Sequence, residues 1–385
     1  MKIITFYLPQ FHTFPENDMW WGKGFTEWTN TRKAKPLFKG HYQPHIPYKK
    51  NYYDLTKEGV MKTQIEYAKK YGIYGFCFYH YWFTNGKKLM EKPVETFLED
   101  KTLNIKFCLS WANEHWTKKW DGGSKEIIME QNYGSKEDWK MHFEYLLPFF
   151  KDSRYIYEKG KPMLIIYRPE LIPCFDQMMS YWKELAQHNG LEGLFIMAQG
   201  TKYCVKNSIK KRSNYIDGYI MYEPGYTYSF MNPANFKEFI SNLWRYRSLA
   251  VEYIPRIVKL KFLELFNCEI KKPCNIVYFS TIWKCILKHN IPDQYYPGGF
   301  ANWDNTARRN NYARIIRNSS PELFEKFFTE QIKRAKYNYR KEYLFFTAWN
   351  EWAEGSHLEP DEKYGFKYLQ AVKRALQVTG EFEQN

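Results

Sequence analysis

The chain has 385 residues, 44% hydrophobic and 20% aromatic, and its 57 Lys and Arg against 42 Asp and Glu give a formal charge of +15. That composition excludes intrinsic disorder and the fibrous classes, and no apolar run reaches the about 18 to 20 uncharged residues of a membrane span. The seven cysteines, at 77, 108, 174, 204, 268, 274 and 285, form no C-x-x-C pair and no regular spacing, which argues against a disulfide framework and for a reducing, cytoplasmic compartment.

The first strand is predicted over Ile3–Leu8, and the lone Lys, short apolar run and lack of a small-residue cleavage site over Met1–Gln10 argue against a signal peptide. A long loop rich in Trp, Gly and Pro follows, then a helix over Lys57–Tyr71 with Val60, Met61, Ile65 and Ala68 at helical spacing. Further β-branched and aromatic runs predict strands at Gly75–Tyr81, Lys106–Trp111, Met163–Arg168, Leu194–Gln199, Ile216–Tyr222, Gly299–Trp303 and Tyr343–Trp349, with helical stretches between them. An insertion, 223–297, separates the sixth strand from the seventh, with helices predicted over Asn235–Arg247 and Ile257–Phe266. From Lys202 to Lys288 there are 15 basic and 6 acidic residues. Such a face either meets an anionic partner or is simply solvated.

Repeated βα units predict an α/β fold, specifically a (β/α)8 TIM barrel: one catalytic domain over 1–375 and a C-terminal tail, 376–385. A doubly wound open sheet is the alternative, because strand order is not legible in one sequence. In a barrel all strand ends meet on one face, and the polar residues concentrate there. Tyr7, Gln10 and His12 end strand one, and His80, Tyr81 and Trp82 end strand two. Trp111, Asn113, Glu114, His115 and Trp116 follow strand three. Tyr167, Arg168, Gln199, Tyr222 and Glu223 close the next three. Trp303, Asp304 and Asn305 follow strand seven, and Trp349, Asn350, Glu351 and Glu354 follow strand eight.

Glu351 and Glu354 are the sharpest pair. Glycoside hydrolysis needs two carboxyl groups, one to protonate the leaving oxygen and one to handle the nucleophile. Neighbouring Trp349 and Trp352 supply the apolar wall that keeps one carboxyl protonated near neutrality. The remaining strand-end residues are expected to bind substrate, with Trp28, Trp111, Trp116 and Trp303 as sugar-stacking rings along an open cleft. Asn113 and Glu114 also suit a turn cap, and Asp304 with Asn305 also suits ordinary turn chemistry. His41 and His45 lie four apart but Pro44 and Pro47 preclude a helix between them. His80, His115 and Glu114 lack a further spaced ligand, so no metal is expected. No G-x-G-x-x-G, P-loop, D-x-D or G-x-S-x-G motif occurs, which points away from a nucleotide cofactor, a nucleotide-fold transferase and a serine nucleophile.

Several segments together resemble a known family: Phe6–His12, Gly24–Asn30, Gly75–Trp82, Trp111–Glu114, Trp303–Thr306 and Trp349–Glu354 look like the WbsX-like proteins of bacterial surface-polysaccharide gene clusters. That family, often labelled glycosyltransferase, is similar to glycoside hydrolase family 99, the endo-α-mannosidases and endo-α-mannanases. The resemblance implies a retaining reaction without metal or cofactor on an α-mannoside-like glycan. Glu351 would deprotonate the sugar's 2-hydroxyl, which attacks C1 to give a 1,2-anhydro intermediate. Glu354 would protonate the leaving oxygen and then activate water or an acceptor, and as the acid it should carry the higher pKa. Ala353 stands where family 99 has His. The expected partner is an oligosaccharide or polysaccharide of O-antigen, capsule or lipopolysaccharide type, in lipid-linked or free form, and not nucleic acid. The basic stretch 235–272 is a candidate for peripheral contact with the inner face of the membrane, or else a lid. A glycosyltransferase and a non-catalytic glycan-binding barrel remain the alternatives.

Overall fold

The computed structural model describes residues 1–117, 126–200, 213–231 and 275–382. Its centre is a ring of parallel strands: β1 (Lys2–Tyr7), β2 (Ile73–Trp82), β3 (Lys106–Trp111), β4 (Lys161–Ile166), β5 (Phe195–Gly200), β6 (Gly218–Met221), β7 (Tyr295–Tyr296), β8 (Gly298–Phe300) and β9 (Tyr343–Thr347). They pair in the order β7-β6-β5-β4-β3-β2-β1-β9-β8, every neighbour parallel. Because only Pro297 separates β7 from β8, the run 295–300 touches β6 through Tyr295 and β9 through Gly298–Phe300, nearly closing the barrel. The (β/α)8 reading of the sequence is therefore right. Strands covered on both faces read as near-continuous apolar runs, and β2, Ile-Tyr-Gly-Phe-Cys-Phe-Tyr-His-Tyr-Trp, is buried almost throughout.

Helices α1 (Val60–Lys70), α2 (Lys92–Glu99), α3 (Lys136–Phe150), α4 (Phe175–His188), α5 (Phe279–Lys288), α6 (Pro321–Lys333) and α7 (Lys367–Val378) follow the strands. The apolar spacing predicted for α1 buries Met61, Ile65 and Ala68, and Gly59, in the left-handed region at φ 78°, precedes it. Ser135 caps α3 in a capping box with Asp138, and Ser320 followed by Pro321 opens α6.

The seventh strand departs from expectation. Pairing starts at Tyr295 and ends at Phe300 instead of spanning Gly299–Trp303, because Pro-Gly-Gly looks like a turn in sequence. Here the glycine serves close approach: a Cβ on Gly298 would stand 1.8 Å from the Met221 carbonyl oxygen. The sixth strand is shorter than predicted, and α7 runs on to Val378, past the expected start of the tail at 376. Part of the insertion joins the wall of the barrel, since α5 buries Phe279, Ile282 and Trp283, the last stacked on Phe300. The predicted helices Asn235–Arg247 and Ile257–Phe266, and the proposed contact stretch 235–272, lie outside the described residues. No helix among those described is long and apolar enough to cross a membrane.

Gly298→Ala is expected to lower the unfolding free energy by about 3 kcal/mol, because backbone rather than a flexible side chain must give way. Urea denaturation measures it. An unchanged midpoint would show that the β6–β8 approach is looser than described.

Candidate active site

After β9 the chain turns sharply. Asn350–Glu351 pairs antiparallel with Ser356–His357, and the turn Trp352–Glu354 ends on Gly355 at φ 58°. Gly355 lies 3.0 Å from Asp304 by its would-be Cβ, and the Asp304 N–H donates to the Glu354 carbonyl at 2.7 Å, so the turn is docked on the loop after β8. The Asn350 amide ties the other side: it accepts from Leu8 N–H at 2.7 Å and donates to the Leu8 carbonyl at 2.9 Å. These anchors turn both Glu351 and Glu354 into one cleft of about 440 Å³ at the C-terminal ends of the strands.

Arg308 is the centre of that cleft. Its Nη1 donates to Glu354 at 2.8 Å, its Nη2 to Glu351 at 3.4 Å, and its Nε to Glu27 at 2.9 Å. Burial works against the guanidinium charge, but Glu27, Glu354 and Glu351 hold it firmly protonated. One cation cannot neutralise three buried carboxylates. Burial pushes the Glu351 carboxyl up to about 8, against the pull of Arg308 and with the push of Glu354. Burial raises Glu354 too, opposed first by Arg308. Both carboxyls are thus held above their ordinary range, and Glu351 is the more enclosed. Its side chain is 7% exposed against 18% for Glu354, and it makes the longer contact to Arg308.

The structure brings many of the sequence-predicted residues together. Tyr81, Glu114, His115, Trp116, Tyr167, Arg168, Tyr222, Trp303 and Asn305 line the cleft with the two acids, and Tyr79 joins them. Tyr79 and Tyr222 share a hydroxyl contact of 3.1 Å, and Arg168 pairs with Glu114 and Glu170.

Others belong to the core. Strand side chains alternate between barrel interior and helix layer, so of each strand-end cluster only part reaches the mouth. His80, between Tyr79 and Tyr81, contacts His142 of α3 at 2.9 Å and stacks on Tyr145, and burial drops its pKa to about 3. It is not gathered with His115 and Glu114 as a metal site would need. Trp111 donates to the Trp82 carbonyl and packs on His142 and Trp182. Trp349 is fully buried against Phe76, and Trp28 donates to the Tyr53 carbonyl between Phe11 and Trp352. The stacking role expected of Trp28 and Trp111, and the pocket wall expected of Trp111 and Trp349, are thus corrected; Trp116 and Trp303 do line the cleft.

Tyr7 donates to Gln64 in the barrel, and Gln10 is buried against Asn17. Gln199 is fully buried with neither amide atom hydrogen-bonded among the described residues. Glu223 accepts from Thr227 twice, and burial pushes it up to about 8. Asn113 clamps the backbone of Arg168 through both its amide atoms at 2.8 Å. Asp304 accepts from Thr306 and contacts His41 Nε2 at 2.6 Å; burial would raise its carboxyl, but His41 and His45 hold it below its ordinary range. None of Tyr7, Gln10, Gln199, Glu223, Asn113 and Asp304 is among the residues that line the cleft.

Beyond Asp304, His45, His357 and Asp361 put one donor atom each within 4.8 Å of one another. His45 Nδ1 and His357 Nε2 already lie 3.0 Å apart and hydrogen-bond each other.

Sequence reasoning missed Arg308 and Glu27 as site residues. The signal was near: Glu27 lies inside the Gly24–Asn30 segment, and Arg308 follows Trp303–Thr306 by two positions.

Residues 3–372 match the glycosyltransferase WbsX family. The chain belongs to that family. Protein WxcX of Xanthomonas campestris pv. campestris is 31% identical over 379 residues, 97% of this chain and 49% of WxcX. This WbsX-family chain thus spans about half the length of the curated relatives it matches. Among solved structures, the family 99 endo-α-mannosidase of Bacteroides thetaiotaomicron is similar with a TM-score of 0.56 and 13% identity, covering 98% of this chain and 97% of that one. A glycoside hydrolase-like protein is similar with a TM-score of 0.55 and 12% identity over 97% and 93%. At such identity these likenesses show the barrel fold alone.

Unfolding should report the burial of Glu351. The folded chain keeps its proton to about 8, whereas the unfolded carboxyl releases it near about 4.3. The folded state binds more protons in that window, so stability falls as pH rises through it. Glu351→Gln is expected to flatten the slope between about pH 5 and 8 in urea denaturation, while Glu223 and Glu359, raised by burial to about 8 and about 7, keep theirs. An unaltered slope would mean that Glu351 is ionised throughout.

Proposed function

We propose that the chain is a retaining carbohydrate-active enzyme that cleaves or transfers an α-mannoside-like unit of a cell-surface glycan. The observation that carries this reading is the pair Glu351 and Glu354, both open to one strand-end cleft and both held on Arg308. Burial holds both carboxyls above their ordinary range, which favours a proton retained on the pair near neutrality, the state that acid–base work at a glycosidic bond requires. In this reading a sugar 2-hydroxyl donates to Glu351 and favours its carboxylate, so the proton passes to Glu354. Glu351 then takes the hydroxyl proton as that oxygen attacks C1, and Glu354 gives its proton to the departing oxygen. In the second step Glu354 removes a proton from water or an acceptor hydroxyl, which opens the 1,2-anhydro ring and returns the first proton to the 2-oxygen. Net retention follows from two inversions. Arg308 keeps both carboxyls in the cleft, and Trp303, Trp116 and the tyrosines offer faces and hydroxyls to a pyranose.

Transfer rather than hydrolysis is favoured by the name of the family to which the chain belongs. The fold likeness to an endo-α-mannosidase favours the α-mannoside substrate. The proposed setting is one catalytic barrel on the cytoplasmic side, acting on a lipid-linked or free polysaccharide of O-antigen, capsule or lipopolysaccharide type. The stretch 235–272 is the proposed contact with the inner membrane face.

The test is incubation with α-mannosyl-containing bacterial surface polysaccharides, with and without acceptor, reading product size and, by proton NMR, the anomeric configuration. Retained configuration is expected, with turnover falling about a hundredfold or more in both Glu351→Gln and Glu354→Gln. Full activity in either variant, or an inverted product, would sink the proposal. Binding of the glycan with no turnover would favour a non-catalytic glycan-binding barrel.

A further inference from the structure

Four arginines line the cleft, and their surroundings divide them. Arg308 is neutralised by Glu27, Glu351 and Glu354, and Arg168 by Glu114 and Glu170. Arg309 and Arg314 stand half-buried in the same cleft, yet neither guanidinium enters an ion pair or donates a hydrogen bond among the described residues. What they do have is a fixed backbone. The Asn305 carbonyl accepts from Arg309 N–H at 2.9 Å, and the Asn305 side chain accepts from Arg314 N–H at 2.8 Å. The Tyr228 ring lies 5.4 Å from the Arg314 guanidinium carbon and shields one of its faces. Arg309 is close enough to Glu354 for its charge to offset part of the burial that raises that carboxyl.

A guanidinium partly withdrawn from water loses hydration, and every N–H left without an acceptor leaves that loss uncompensated. Two such forks, both tethered to Asn305 and both reaching the cleft, gain most from an oxygen-rich anion, which each can hold bidentately. The need is also electrostatic. A negative group brought beside Glu351 and Glu354 would be repelled by them, and Arg168 and Arg308 are already matched by carboxylates. Among the described residues that line the cleft, Arg309 and Arg314 are the arginines without a carboxylate partner, and they can offset it.

Resting on the reading of the cleft as a glycoside site, we propose that Arg309 and Arg314 bind an anionic group, a phosphate or a carboxylate, carried by the glycan that Glu351 and Glu354 act on. The substrate class narrows from neutral glycosides to acidic ones.

Calorimetric titration of the full chain with α-mannose 1-phosphate, methyl α-mannuronoside and methyl α-mannoside tests this. A charged sugar is expected to bind about tenfold or more tighter than the neutral one, and the difference should shrink as NaCl is added. The double variant Arg309→Gln, Arg314→Gln should bring the charged sugar to the affinity of methyl α-mannoside. Preference for the phosphate alone assigns a phosphorylated glycan, and preference for the uronoside alone assigns an acidic sugar. Equal binding of all three by the unaltered chain, or a preference that persists in the double variant, overturns the proposal and leaves the glycoside reading standing. Failure of all three to bind overturns both.

Discussion

The whole mouth of the barrel is arranged around one guanidinium. Glu27 opens the helix Glu27–Lys33 in the connection after β1, Arg308 comes from the short helix after β8 and Glu354 from the turn after β9, so Arg308, 281 positions from Glu27, joins distant parts of the chain. A buried carboxylate without a cation is costly, and three around one cation remain costly. The deficit is met by protons, which is why burial raises both Glu351 and Glu354 while Arg308 stays charged. Structural need and chemical capacity coincide here. The same shortage of positive charge that makes the cluster expensive keeps both carboxyls above their ordinary range.

Around that cluster the strand ends are braced by side chains that never face the cleft. Asn350 mimics a strand partner for Leu8, Asn113 does the same for Arg168, and Asp304 accepts from the Thr306 N–H at the start of the helix that carries Arg308. Below them Glu359 accepts from Tyr53, Gln64 and Trp352 at 2.6 to 2.7 Å, which fixes the turn from beneath. Polar groups satisfied in this way are rigid, and rigidity at the strand ends is what keeps two acids aimed at one place.

The barrel was legible in the sequence because its strands are buried on both faces and stand out as apolar runs between helical stretches. The start of the seventh strand was not, since Pro297 and Gly298 carry a turn signature while serving ring closure. Glu351 and Glu354 were legible because spacing and aromatic context survive in one dimension. Sorting the other strand-end residues was harder: His80 and Trp111 sit among residues that do face the cleft, and the alternation that turns them into the helix layer has a phase no sequence shows. Arg308 was hidden for a different reason. The helix Thr306–Arg309 has four residues, too few for a periodic signal, and its partners are distant in sequence. The resemblance to the WbsX proteins covered what periodicity could not, and the family match over residues 3–372 agrees with it. A shared barrel does not fix a reaction, because such folds host many chemistries. The proposed reaction rests on Glu351, Glu354 and Arg308.

The most direct measurement is a crystal structure of the Glu354→Gln variant with an α-mannosyl oligosaccharide bound. The account predicts a glycosidic oxygen within about 2.6 to 3.2 Å of the side chain at 354 and the 2-hydroxyl of the same sugar within that reach of Glu351. A saccharide seated instead in the neighbouring cavity beside His41 and Asp361, with the Arg308 cluster untouched, would contradict it.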